Sequence, residues 1–177
     1  MKKILALLAS NSSTSINGIL LKHACENIGE QQLTELGVGD YALPIFSEDI
    51  EKNLGLPHTV EQIAAIFAEQ DAFIIACPEH NSSMPAVFKN FIDWLSRVPN
   101  DSTVFANKAV FLVSTSPGKR GGSSNLKHLL EIMPYWGADI KGSYSLGSFY
   151  EHYSDNNLDA KVVDELHKAI KQFVEGL

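Results

Sequence analysis

Pro78-Glu79-His80-Asn81 brings an acid, an imidazole and a carboxamide together behind a proline. Glu79 and His80 are candidates for a general acid and base. Alternatively, the backbone and Asn81 hydrogen-bond the edge of a planar heterocycle while His80 lies along its face. A plainer reading makes Asn81 a turn residue and Ser83 the cap of a following helix, with Pro85 at that helix's first position. The four residues follow the apolar run Asp71-Ala72-Phe73-Ile74-Ile75-Ala76-Cys77 and precede the helical pattern Pro85 to Leu95. They therefore sit at the carboxyl end of a buried strand, where open α/β sheets bind ligands.

Two further loops carry polar chemistry. Ala9-Ser10-Asn11-Ser12-Ser13-Thr14-Ser15-Ile16-Asn17 links an apolar run to a helical one. A helix N-terminus exposes unpaired N–H groups and a partial positive charge, and the hydroxyls add donors, so this loop suits a phosphate without any lysine. Simple N-capping needs one or two such residues, fewer than are present. Neither Walker A spacing nor a GxGxxG fingerprint occurs, which argues against a nucleoside triphosphatase and a dinucleotide Rossmann domain. The other loop is Ser114-Thr115-Ser116-Pro117-Gly118-Lys119-Arg120-Gly121-Gly122. Its glycines permit close backbone approach. Lys119 and Arg120 are either a contact for an anionic ligand such as a nicotinamide dinucleotide phosphate or two solvated cations.

The elements that must position these loops alternate between short apolar runs and helical patterns. Strands are predicted at Ile4–Leu8, Gln32–Leu36, Ala72–Cys77, Ala109–Ser114 and Asp139–Tyr144. Helices are predicted at Ile16–Ile28, His58–Glu69, Ala86–Arg97, Ser123–Tyr135 and Leu158–Val174. Gly37 to Pro57 reads as a long irregular connection, and Gly147 to Asn157 as a polar, aromatic-spiked loop that caps a site or an interface. The alternation predicts a three-layer α/β sandwich built on a parallel sheet. The chain has 177 residues, 45% hydrophobic and 20% charged. That suits one domain, residues 1–177, with a core that needs no disulfide or metal. Cys25 and Cys77 lie in apolar surroundings and read as reduced core residues.

The formal net charge of −7 opposes nucleic-acid binding. No apolar run reaches membrane-spanning length, and the apolar N-terminus reads as a first strand and not a signal peptide, so a cytoplasmic protein is expected. Cysteine and histidine spacing predicts no metal site.

At these loops the chain resembles the NADPH-dependent FMN reductase family, which includes quinone, azo and chromate reductases. The strongest part is Pro78-Glu79-His80-Asn81-Ser82-Ser83-Met84-Pro85, followed by Lys89-Asn90 and Asp93-Trp94-Leu95-Ser96-Arg97. The family pattern is Pro-Glu-Tyr-Asn, a Ser-containing turn, Pro, Lys-Asn and Asp-Trp. The resemblance implies a flavodoxin-like five-stranded parallel sheet of order 2-1-3-4-5, with FMN at the ends of strands one, three and four. It implies that Ser10, Ser12, Ser15, Ile16 and Asn17 hold the FMN phosphate. Pro78, Glu79, His80 and Asn81 would line the isoalloxazine ring, and Ser116, Gly118 and Gly121 would approach it from the glycine-rich loop. It also implies a homodimer or homotetramer, with the helix Ala86–Arg97 as a contact surface. Two departures stand out. Ala9-Ser10-Asn11-Ser12 replaces the family's Gly-Ser-x-Arg, removing a charge-assisted phosphate contact. His80 replaces the tyrosine, offering less ring face and a titratable group.

The expected activity is hydride transfer from NADPH or NADH through FMN to a small acceptor: a quinone, an azo compound, free flavin or a metal oxyanion. The flavin carries that chemistry, so no side chain is expected to be an obligatory catalyst. A competing reading is an FMN-binding electron carrier or redox sensor without NAD(P)H turnover. A third is a flavin-free hydrolase using Ser82, His80 and Asp93, although no GxSxG elbow is present.

Overall fold

The computed structural model describes residues 1–29, 32–99 and 103–177. Five strands make one parallel sheet: β1 (Ile4–Leu8), β2 (Leu33–Gly37), β3 (Ala72–Ala76), β4 (Lys108–Thr115) and β5 (Ala138–Leu146), in the order β2-β1-β3-β4-β5. The predicted order is the observed one. The helices are α1 (Ile16–Cys25), α2 (Glu48–Leu54), α3 (His58–Glu69), α4 (Ala86–Leu95), α5 (Ser123–Ile132) and α6 (Ala160–Glu175). A short antiparallel hairpin, β6 (Tyr153–Ser154) and β7 (Asn157–Leu158), precedes α6.

Alternate strand residues point to opposite faces, which divides the core in two. On one face Ile4, Ala6, Ile74, Ala76, Phe111 and Val113 pack against Leu20 of α1 and Leu166, Ile170 and Phe173 of α6. On the other, Leu5, Leu7, Phe73, Ile75, Val110 and Leu112 meet Ile63 and Phe67 of α3, Phe88 and Phe91 of α4, and Leu129 of α5. Central β3 is buried along its whole length, as its unbroken apolar run requires. Edge strand β5 alternates between more and less exposed residues, which explains its weak apolar signal.

Several boundaries differ from the predicted ones for local reasons. Helix α1 stops at Cys25, before the predicted Ile28, where Glu26 N–H turns back to His23 O and Ile28 N–H to Cys25 O. Helix α5 gives way at Ile132 to a 3₁₀ turn, Met133–Trp136, because Pro134 cannot continue the α-helical ladder. Leu158 belongs to the hairpin and not to the last helix, which starts at Ala160. The connection Gly37 to Pro57 is not wholly irregular. It contains a 3₁₀ turn at Val38–Asp40 and α2, capped by Ser47 Oγ accepting from Ile50 N–H (3.1 Å).

Asn90, Trp94 and Arg97 of the motif anchor that connection. Asn90 Oδ1 accepts from Phe46 N–H (2.7 Å), and Asn90 Nδ2 and Trp94 Nε1 both donate to Pro44 O (3.0 and 2.7 Å). Arg97 Nε donates to both oxygens of Glu51 on α2 (2.8 and 3.0 Å). Lys89 pairs with Asp93 one turn along α4 (2.6 Å). Asn90, Trp94 and Arg97 thus fasten a loop of the same chain, while Lys89 and Asp93 satisfy each other. Asn90→Ala removes the partner of the Phe46 N–H, and urea unfolding is expected to show a loss of about 1–3 kcal/mol. Trp94→Phe leaves Pro44 O still paired with Asn90 but opens a cavity where the fully buried indole sat, and is expected to cost at least as much.

Both cysteines are free and buried. Burial pushes each thiol up to about 12 from the usual 9.0, with the Glu35 charge adding to the effect at Cys25. A raised thiol pKa stabilises the fold fully below the unfolded-state value, and the benefit disappears as pH rises through the folded value. Equilibrium unfolding is therefore expected to show stability falling between pH 9.0 and about 12, by at most about 1.4 kcal/mol per pH unit for each thiol. Cys25→Ala and Cys77→Ala should each flatten that slope.

Candidate functional site

The loop after β1 is tightened by its own hydroxyls. Ser10 is buried, and its Oγ accepts from Ser12 N–H (3.2 Å), while Ser12 Oγ accepts from Thr14 N–H (3.4 Å). Ser15 caps α1, its Oγ accepting from Gly18 N–H (3.4 Å). Residues 11–14 are exposed. Ile16 and Asn17 open the helix, and their N–H groups have no intrahelical acceptors. That turn carries no acid, whereas the first turn of α2 carries Glu48, Asp49 and Glu51. The α1 terminus thus keeps its partial positive charge for an external anion. The buried Asn17 side chain is committed elsewhere. Its Nδ2 donates to Thr115 O (3.0 Å) and its Oδ1 accepts from Thr115 N–H (2.9 Å), joining α1 to the end of β4. What Asn17 can offer the loop is its backbone N–H.

After β3, His80 and Ser83 exchange both backbone N–H···O bonds (2.8 and 3.1 Å) around Asn81 and Ser82. Asn81 and Ser82 have φ of 51° and 66°. This is a two-residue turn of type I′. His80, Asn81 and Ser82 are exposed at its tip, while Pro78 is buried at its base. Glu79 is mostly covered. Its Oε2 accepts from Asn125 N–H in the first turn of α5 (3.1 Å), and Arg120 forms a looser ion pair with it (4.0 Å). Gly122 at the start of α5 has no side chain to cap the helix, so Glu79 supplies a cap from another loop. The Glu79 carboxylate is therefore engaged as a brace. Asn125 adds Nδ2 donations to Pro78 O (3.0 Å) and Cys77 O (3.3 Å). Asn125 Oδ1 is buried with no partner among the described residues.

Ser83 is not the cap of α4. The helix begins at Ala86 with Pro85 in the capping position, and Ser83 Oγ instead meets His128 Nδ1 of α5 at 3.0 Å. Asn125 and His128 carried no distinguishing signal in the sequence. Their spacing of three places them on one helix face, but the partner segment lies far away along the chain.

The loop after β4 reaches the same edge. Gly121 and Gly122 have φ of 58° and 79°. A Cβ on Gly121 would lie 2.6 Å from Ser145 Oγ and 2.7 Å from Gly147 N, so the backbone packs directly against the end of β5. Ser116 Oγ donates to Gly118 O (3.0 Å). Ser148 N–H donates to Gly118 O (2.9 Å) and Phe149 N–H to Ser116 O (3.1 Å), so the segment after β5 braces this loop. Gly118 is different: a Cβ there would meet nothing nearer than Ser116 Oγ at 3.9 Å. Lys119 and Arg120 are exposed.

The three loops leave adjacent parallel strands at matched ends, with Leu8 beside Ala76 and Ala76 beside Val113. Asn17, Glu79 and Asn125 tie them together. A cleft of about 690 Å³ lies on the β2 side of the first loop and shares Ser10, Asn11, Ser12 and Ser13 with it. It does not reach the Pro78–Asn81 turn. The Ser82, His80 and Asp93 set does not form a triad by its visible bonds, since Asp93 is paired with Lys89 and His80 uses its backbone to close the turn. Among the described residues no group of three His, Cys, Asp or Glu could hold a metal ion, and no helix is long and apolar enough to cross a membrane.

A parallel sheet of this order with polar loops meeting at the ends of β1, β3 and β4 defines a flavodoxin-like domain. The sequence matches the model of the NADPH-dependent FMN reductase family over residues 2–151, and the chain belongs to that family. It is 31% identical over 139 residues to the quinone reductase of Escherichia coli (strain K12), covering 78% of this chain and 72% of that protein. It is 31% identical over 182 residues to the NADPH:quinone oxidoreductase of Arabidopsis thaliana, covering 99% and 89%. In fold it is similar to a flavoenzyme NAD(P)H:(acceptor) oxidoreductase from Paracoccus denitrificans, with a TM-score of 0.79 at 22% identity over 99% and 96% of the two chains. The chain is accordingly an NAD(P)H-dependent flavoprotein reductase, with FMN as cofactor and NADPH or NADH as donor.

The local chemistry fits such a cofactor. A helix start free of acids beside exposed hydroxyls suits a phosphate, and a glycine opening onto free space leaves room for a flat ring. The orphaned Asn125 Oδ1 is a buried acceptor left for a donor. Backbone strain in the turn is testable. Ser82 holds a left-handed conformation that suits glycine better, so Ser82→Gly is expected to raise stability by about 0.5–1 kcal/mol in urea titrations.

Proposed function

We propose that the chain acts as a single domain, residues 1–177, that binds FMN across the three loops and passes electrons from NAD(P)H to a quinone or a similar small acceptor. Ser10, Ser12, Ser15, Ile16 and Asn17 hold the phosphate, with the first-turn N–H groups of α1 supplying the central donors. Pro78, Glu79, His80 and Asn81 line one side of the ring, and Ser116, Gly118 and Gly121 line the other. Bound FMN supplies acceptance of hydride and its release to the acceptor.

In this reading each protein group binds or orients. Glu79 caps α5 through its bond to Asn125 N–H and holds the turn in place. Exposed His80 covers the ring at the tip of the turn. Buried Pro78 keeps water from the base of the site. Lys119 and Arg120 offset part of the −7 charge for an anionic donor. We further propose a homodimer or homotetramer in the cytoplasm. Exposed Ile45, Tyr135 and Tyr150 are apolar surface that a second copy would cover.

The observation that carries the proposal is the meeting of an acid-free helix start with two braced loops on one sheet edge. Its test is the visible spectrum of the purified protein with FMN added, followed by NAD(P)H oxidation with a quinone. Flavin bound one per chain with sustained turnover is expected. Absence of both would end the proposal, and binding without turnover would reduce the chain to a carrier. Ser12→Arg restores the phosphate contact that the family pattern contains. It is expected to lower the FMN dissociation constant roughly tenfold.

A further inference from the structure

Helix α5 grips the segment after β3 at both ends. Asn125 holds its start through Pro78 O and the Glu79 carboxylate, at 3.0 and 3.1 Å. One turn further along, His128 Nδ1 meets Ser83 Oγ at 3.0 Å and holds its end. Between these clamps lies the type I′ turn, with two non-glycine residues at positive φ. Such a conformation persists when its surroundings over-determine it. The two cross-strand N–H···O bonds of the turn are its own closure, and a two-residue hairpin by itself is marginal in water. Ser83 is the closing residue of that hairpin, so fixing its side chain fixes the turn from which His80 and Asn81 project. His128 and Ser83 are each part-buried and border a shallow cleft with Met84, Lys89, Ile132 and Trp136.

We propose that His128 is a positioning residue for the reductase reaction: through Ser83 it fixes the turn that presents His80 and Asn81 to the flavin ring. The inference rests on the flavin reading given above. His128 belongs to none of the three ligand loops and acts through Ser83.

Three variants and their combination test it. His128→Leu keeps bulk and removes the hydrogen bond, His128→Asn keeps a polar atom near the position of Nδ1, and Ser83→Ala removes the partner. In FMN-free protein, amide exchange at residues 80–83 is expected to quicken roughly 5- to 10-fold in His128→Leu and Ser83→Ala, as loss of one hydrogen bond implies. The rest of α5 should exchange as before. His128→Asn should recover most of the protection, and the double variant should be no worse than either single one. In FMN-loaded enzyme, the FMN dissociation constant should rise by the same factor and kcat should fall, with recovery in His128→Asn. A purely structural role would lower the melting temperature without selective exchange at 80–83 and without rescue. Unchanged exchange at 80–83, or additive effects in the double variant, would overturn the proposal. If wild-type protein bound no FMN, the flavin reading would fall, while the exchange data would still decide whether His128 holds the turn.

Discussion

Parallel hydrogen bonding in the main sheet is the constraint from which the site follows. With β1, β3 and β4 side by side and running one way, each chain must leave the sheet at the same edge and return across a face as a helix. The loops after Leu8, Ala76 and Thr115 are therefore neighbours, although their residues are separated by long stretches of chain. A loop at such an edge carries backbone groups that the sheet no longer satisfies. In this protein they are met by side chains from neighbouring elements: Asn17 on Thr115, Asn125 on Cys77 and Pro78, and Glu79 on the start of α5. The same polar residue types that suggest chemistry are what makes the edge rigid.

That double use changes the meaning of the motif residues. Glu79 looks like a general acid in isolation, yet it sits where α5 needs a cap and the residue in the capping position, Gly122, has none to give. A side chain on Gly122 would collide with Ser114, so the helix cannot carry its own cap without losing close contact with β4. Asn90 and Trp94 enter as members of the family motif. They fasten the connection at Pro44 and Phe46 to α4. In each case a short distance to a backbone group, and not the reactivity of the side chain, accounts for the residue. An enzyme whose cofactor performs the electron transfer needs its protein groups chiefly for such orientation.

The family resemblance and the alternation of patterns were enough to recover the sheet order, because a buried parallel strand such as Ala72–Ala76 requires an unbroken apolar run and a returning helix requires a helical one. The same patterns missed α2, whose seven residues bury no side chain and so leave little periodic signal. They missed the hairpin Tyr153–Leu158 because strands of two residues are too short to alternate visibly. They also carried α5 too far, past Pro134, where apolar spacing continues but the ladder does not. In the site, the exposed loop tips were legible from their composition. Asn125 and His128 were not, since nothing in a helix sequence says which distant loop its polar face will meet.

The amino-acid order by itself determined the family, the parallel sandwich and the three loops that end its inner strands, because these depend on local periodicity and on motifs read within a few residues. Tertiary structure alone decided which polar groups remain free for a ligand. Pairings such as Asn17 with Thr115, Glu79 with Asn125 and Ser83 with His128 join residues 45 to 98 positions apart. Directional bonds of about 3 Å form between such residues only after packing has brought their elements together.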